Sequence, residues 1–136
     1  MKRAFLIFLI AVAAIAAQAQ TSIPSSLYYT FPQVTTTGAV GAGLQFGSAS
    51  QRPSNYTIDA SVTGTAPSAC TFRVEGSNDN TVWYGLDQTS PATNSCTTSY
   101  MEHITSKPVL YLRINVAAYT AGDGTTKVIF HYVGKQ

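Results

Sequence analysis

Charge is scarce in this chain: Asp, Glu, Lys and Arg together make up 10% of its 136 residues, against about a quarter in an ordinary globular protein. Beyond Lys2 and Arg3 the basic residues form no cluster, because Arg52, Arg73, Lys107, Arg113, Lys127 and Lys135 are scattered along the chain. That argues against nucleic acid or an anionic membrane surface as a partner, since both call for a concentrated positive patch. Helix signals are missing as well. Beyond the first twenty residues no stretch sustains apolar residues at i, i+3, i+4 and i+7 between caps, so helix content is expected to be near nil. Tryptophan occurs once and cysteine twice. The two cysteines, Cys70 and Cys96, lack a C-x-x-C spacing and His neighbours at ligand spacing, which argues against a redox or metal pair. No cofactor is expected.

One apolar run is present, at the start. In "MKRAFLIFLIAVAAIAAQAQ", Lys2 and Arg3 precede an apolar stretch from Ala4 to Ala17, and Ala17-Gln18-Ala19 fits the small-x-small pattern of a signal-peptidase site. The run is shorter than the roughly 20 residues needed to cross a bilayer. Residues 1–19 are therefore read as a signal peptide cleaved after Ala19, leaving a mature chain with no membrane span, secreted to a periplasm or beyond the cell. Lys2 and Arg3 leave with the signal, so the remaining six basic residues balance the six acidic ones. In an oxidising compartment the default reading of Cys70 and Cys96 is one disulfide.

Residues 20–54 are rich in Ser, Thr, Gly and Pro and read as a lead-in with one or two irregular strands. Gly38, Gly41, Gly43 and Gly47 precede no helical pattern and no Gly-Lys-Ser/Thr, so a flexible or bulged strand is expected there rather than a phosphate loop. From residue 55 to the end the period is two. Tyr56, Ile58, Ala60 and Val62 alternate with polar residues, as do Cys70, Phe72 and Val74, which places one row on a core and the other in solvent. "GSNDN", residues 76–80, supplies the residue types of close turns before "TVWYGLD" and predicts a hairpin. "TTSYMEHITS" is a further strand. "PVLYLRINVAAY", residues 108–119, carries an inward row of Leu110, Leu112, Ile114 and Val116; "TAGDG" then predicts a hairpin into "TTKVIFHYVG". The pattern implies an all-β fold, a single antiparallel sandwich of about six to eight strands over residues 55–136, with a small barrel as the lesser alternative.

Catalytic raw material is thin. His103 and His131 are the two histidines, and neither shows the orienting partner that general-base work needs. The carboxylates Asp59, Glu75, Asp79, Asp87, Glu102 and Asp123 fall mostly in turns or at outward strand positions, and nothing selects a pair. No enzyme is expected, a small secreted hydrolase being the remote alternative. Calcium would draw on Asp79, Asp87 and Asp123, but "AGDGTT" lacks the loop pattern and reads as a tight turn. "NYT" at 55–57 matches a glycosylation triplet by spacing alone.

Trp83 and Tyr84 hold the most open question. On a continuous strand one would face in and the other out; a lone Trp on a sandwich strand is expected in the core, the alternative being a stacking platform for a sugar ring or a protein partner. Tyr28, Tyr29 and Phe31 likewise either pack on a sheet or form an adhesive segment. The text "FRVEGSNDNTVWYGLD", residues 72–87, resembles the strand-turn-strand of discoidin-like domains, the galactose-binding-like jelly rolls, and of short β-sandwich proteins of bacteria and their phages, with Ser77, Asp79, Asn80 and Trp83 carrying the match. The resemblance implies a jelly-roll sandwich that binds carbohydrate, lipid head groups or protein through loops at one end. Asp79, Asn80, Trp83 and Tyr84 are the candidate ligand residues. Two functions stay open: a recognition module for a carbohydrate or a surface protein, and a structural, self-associating surface protein, the latter suggested by low charge and few edge-protecting lysines.

Overall fold

The structure, a computed structural model, describes residues 22–23, 28–41, 43–46, 52–86 and 93–135. Residues 1–19, read as a signal peptide, lie outside it, as do Gly47 and Asp87. Among the described residues there is no helix, and eleven strands form two sheets. In chain order they are β1 (Ser22–Ile23), β2 (Tyr28–Thr30), β3 (Gly38–Ala39), β4 (Leu44–Phe46), β5 (Asn55–Thr63), β6 (Ala69–Ser77), β7 (Tyr84–Gly85), β8 (Asn94–Ser95), β9 (Tyr100–Ile104), β10 (Tyr111–Thr120) and β11 (Lys127–Lys135).

β10 and β6 form the middle of the larger sheet, whose order is β1-β4-β10-β6-β7; β3 joins β4 along one side of β10, and β8 joins β7 along one side of β6. The smaller sheet runs β2-β11-β5-β9. Every pairing is antiparallel except β1 with β4. The strand count exceeds the expected six to eight because six strands are only two or three residues long. Five of them flank the long strands in short pieces and β1 lies beyond β4, so the edges that these pieces form are short.

Alternation in the long strands predicts the core correctly. Tyr56, Ile58 and Ala60 of β5, Phe72 and Val74 of β6, Leu112, Ile114 and Val116 of β10, and Val128, Phe130 and Tyr132 of β11 are all buried. The sheets meet at Phe72 and Phe130, whose ring centroids lie 4.7 Å apart. Such an aromatic contact contributes about 0.5–1.5 kcal/mol beyond the area it buries. The segment 20–54 carries β1 to β4 and adds Phe31, Val34, Val40, Leu44 and Phe46 to the same core.

Two expectations are corrected. Val109, expected outward, is buried while Leu110 is half-buried, because β10 begins only at Tyr111 and Val109 fills the space left by the missing side chain of Gly76. The final two strands do not pair with each other: β10 belongs to the larger sheet and β11 to the smaller. The turn after Thr120 therefore carries the chain from sheet to sheet, as does the turn between β5 and β6. Asp123 ties these two crossings together. Its carboxylate accepts from Thr65 Oγ1 at 2.6 Å and from Thr125 N and Oγ1, each at 2.7 Å, and these bonds, that from Thr65 foremost, hold its pKa below the ordinary aspartate value.

Cys70 and Cys96 are bonded, and both are buried. Cys96 N also donates to Cys70 O at 2.9 Å, so the disulfide fastens the two-residue β8 to the central strand β6. A bond closing a separation of 26 residues stabilises by about 3–4 kcal/mol in the chain-entropy picture. Replacing both cysteines by alanine is expected to lower the free energy of urea unfolding by about that amount; a loss under about 1 kcal/mol would show that the bond constrains the unfolded chain far less than its loop length implies.

Candidate functional site

The outer row of β6 contains Arg73, Glu75 and Ser77, and that of β10 contains Tyr111, Arg113 and Asn115. Register sets Glu75 directly opposite Arg113, Arg73 opposite Asn115, and Ser77 opposite Tyr111. Glu75 is only 8% exposed although it faces away from the core. A carboxylate removed from water to this degree needs partners for its charge. Arg113 Nε donates to Oε2 at 2.7 Å and Asn115 Nδ2 to Oε1 at 2.9 Å, so both oxygens are engaged.

Trp83 completes the cluster. Arg113 Cζ stands 4.2 Å from the centroid of the indole ring, a cation–π arrangement in which the planar guanidinium stacks rather than points. The far edge of the ring lies against Gly43, where a Cβ would meet Cη2 at 3.0 Å. Gly43 precedes β4, on the opposite side of β10 from the loop that carries Trp83. The indole therefore reaches across the outer face of the larger sheet.

The loop that delivers Trp83 is built on Asp79. One carboxylate oxygen accepts from Thr81 N at 2.8 Å, Val82 N at 2.9 Å and Ser77 Oγ at 2.9 Å, while Ser77 Oγ accepts from Asp79 N. Asn80 follows in the left-handed region, at φ 59°, which its short polar side chain tolerates. The bond from Val82 N, then those from Thr81 N and Ser77, hold the pKa of Asp79 below the ordinary aspartate value. Asp79 and Asn80, both candidate ligand residues, thus shape the turn; Trp83 and Tyr84 are what the turn displays.

Those two aromatics do not share a face. Tyr84 pairs with Gly76 at the edge of the sheet and is 66% exposed. Trp83, expected in the core, is half-buried outside it. The residues are adjacent, but Thr81 to Trp83 belong to the loop rather than to a strand, so strand parity does not apply to them. Arg113, Glu75, Asn115 and Gly43 are the partners that sequence reading missed. Their signal exists only as a pair of opposite charges at outward positions of two strands, and it becomes readable once those strands are known to be neighbours.

The histidines lie elsewhere, on the outer face of the smaller sheet. Thr57 Oγ1 is 2.8 Å from His103 Nδ1, and Tyr28 OH and Thr30 Oγ1 are 2.8 and 3.1 Å from His131 Nδ1. Tyr28 is exposed and stacks on His131, Tyr29 packs edge-on against Phe31, and Phe31 is core. Beside His103 runs a shallow cavity of about 230 Å³, lined among others by Thr57, Ile104 and Val133. Among the described residues no three His, Cys, Asp or Glu side chains group as metal ligands, and no helix is long and apolar enough to cross a membrane.

Against known proteins, the chain matches no family model and no curated protein. Among solved structures it is similar to the crystal structure of SPBc2 prophage-derived protein YomS, with 13% sequence identity over 86% of this chain and 99% of that one, and a TM-score of 0.49. These comparisons do not show the discoidin-like resemblance.

Because the pKa of Asp79 is depressed in the fold, its ionised form stabilises the loop above the ordinary value of 3.8 and that contribution is lost as pH falls through the lower folded value. Asp79→Ala is expected to lower the melting temperature at neutral pH, with the gap to the parent chain closing as the buffer is taken well below pH 3.8. A gap that stays constant across this range would mean that the carboxylate charge contributes nothing to the turn.

Proposed function

We propose that this chain is a secreted, non-catalytic recognition module that binds glycans on the outer face of its larger sheet. The observation that carries the reading is Trp83: a half-buried indole held outside the core between Arg113 and Gly43. Aromatic rings offer sugars a flat apolar surface, and a ring already fixed in place loses little entropy when a ligand arrives. Val82 of the same loop and Tyr84 of β7, 49% and 66% exposed, extend the contact around the sheet edge. Secretion is supported by the apolar run after Lys2 and Arg3 and by the disulfide. Absence of catalysis is supported by how the titratable groups are used: Asp79 and Asp123 hold turns, Glu75 is paired with Arg113, and both histidines bond hydroxyls through Nδ1.

A second reading, self-association at a surface, rests on the outer face of the smaller sheet. Tyr28, Met101 and Val133 are 62%, 57% and 46% exposed there, and register puts Tyr28 beside Val133 and Met101 beside Asp59. Exposed apolar groups gathered on one face are a common mark of an interaction surface.

The test is a glycan array with the purified chain, followed by calorimetric titration of any glycan retained and of the Trp83→Ala variant. Binding is expected, weakened roughly tenfold or more by the substitution, with the far-UV circular dichroism unchanged. No retained glycan, together with concentration-dependent growth in light scattering, would replace this reading with self-association.

A further inference from the structure

We infer that the glycan carries a carboxylate, and that the terminal N–H groups of the Arg113 guanidinium receive it. This rests on the glycan-binding reading of the Trp83 face and adds the chemical class of its ligand.

A guanidinium has five N–H donors in a fixed planar fork. In Arg113 the Nε donor is committed to Glu75. The four N–H groups of the two terminal nitrogens have no hydrogen-bond partner among the described residues, and the side chain is 27% exposed. Arg113 is therefore half a clamp. Its inner donor is tied to a buried carboxylate, its face is stacked on Trp83, and its outer edge, held in a fixed orientation, bonds no other described residue. That edge matches a planar carboxylate better than it matches a hydroxyl, because two parallel N–H groups meet two oxygens.

The carboxylates beside Arg113 and in the Trp83 loop are already engaged. Glu75 has both oxygens occupied, by Arg113 and Asn115, and Asp79 has its engaged oxygen filled by turn donors. Arg73 stands on the same outer row as Glu75, and Arg52 Nη1 reaches Asn78 of the loop at 3.5 Å. A neutral sugar would use the indole alone, whereas an acidic one uses the indole and the unspent donors beside it.

The experiment compares three probes on the unaltered protein by calorimetry: trigalacturonate, its fully methyl-esterified form, and cellotriose. Esterification removes the charge and keeps the sugar ring, so the comparison needs no variant that might disturb the fold. Trigalacturonate is expected to bind roughly tenfold or more tighter than the ester or cellotriose, as a charged hydrogen-bonded pair implies, and to weaken as salt is raised. Arg113→Lys, which keeps the charge and loses the fork, is expected to remove most of that preference. Equal binding of acid and ester, or binding of cellotriose alone, would overturn the inference and leave the glycan reading standing. Failure of all three probes, with no glycan retained on the array, would overturn both.

Discussion

A carboxylate on the outer face of a central strand, almost closed off from water, sets the terms for everything around it. Glu75 occupies that position on β6 with 8% of its surface exposed. An uncompensated charge there would cost several kcal/mol, so the neighbouring strand has to present a cation and a further donor at the right register. β10 does so with Arg113 and Asn115. The guanidinium, once turned toward Glu75, offers a flat face, and the indole of Trp83 stacks on it. The indole is thus presented by the Asp79 turn and seated on the guanidinium that neutralises one buried acid.

The sandwich beneath supplies the rigidity that this arrangement needs. β6 is held on one side by the long pairing with β10 and on the other by β7 and β8, and the Cys70–Cys96 bond fixes β8 to it. Two crossings between sheets stand side by side, joined by the Asp123–Thr65 bond. Asp79 and Asp123 play the same part at different turns: each collects backbone and hydroxyl donors on a carboxylate that stays ionised because those donors favour the charge. In a chain so poor in charge, the acids whose bonds are described here serve the architecture.

The long strands were legible because burial on one face imposes a period of two, and Phe72, Ile58, Leu112 and Phe130 obey it. Cys70 and Cys96 were legible from their number and setting. The partners of β10 and β11 were not, because "TAGDG" looks the same whether it closes a hairpin or carries the chain to the other sheet; consecutive strands pair more often than not, and here they do not. Short strands such as β3 and β7 leave no period to read. Trp83 was misplaced for a related reason: parity assigns faces only while a strand continues, and the Asp79 turn ends β6 at Ser77. Arg113 escaped notice since its partner, Glu75, is 38 residues away in sequence and becomes its neighbour only through the sheet.

The central claim is that the Glu75–Arg113 pair places Trp83, and the one tryptophan of the chain makes this directly measurable. Acrylamide quenching of Trp83 fluorescence would be compared between the parent chain and the double variant Glu75→Gln, Arg113→Leu, which removes the pair without leaving a buried charge behind. The account predicts intermediate quenching in the parent and a red-shifted, readily quenched indole in the variant, with the β-sheet circular dichroism retained. Identical emission and quenching in the two proteins would contradict it, and would mean that the loop holds its tryptophan without help from the sheet below.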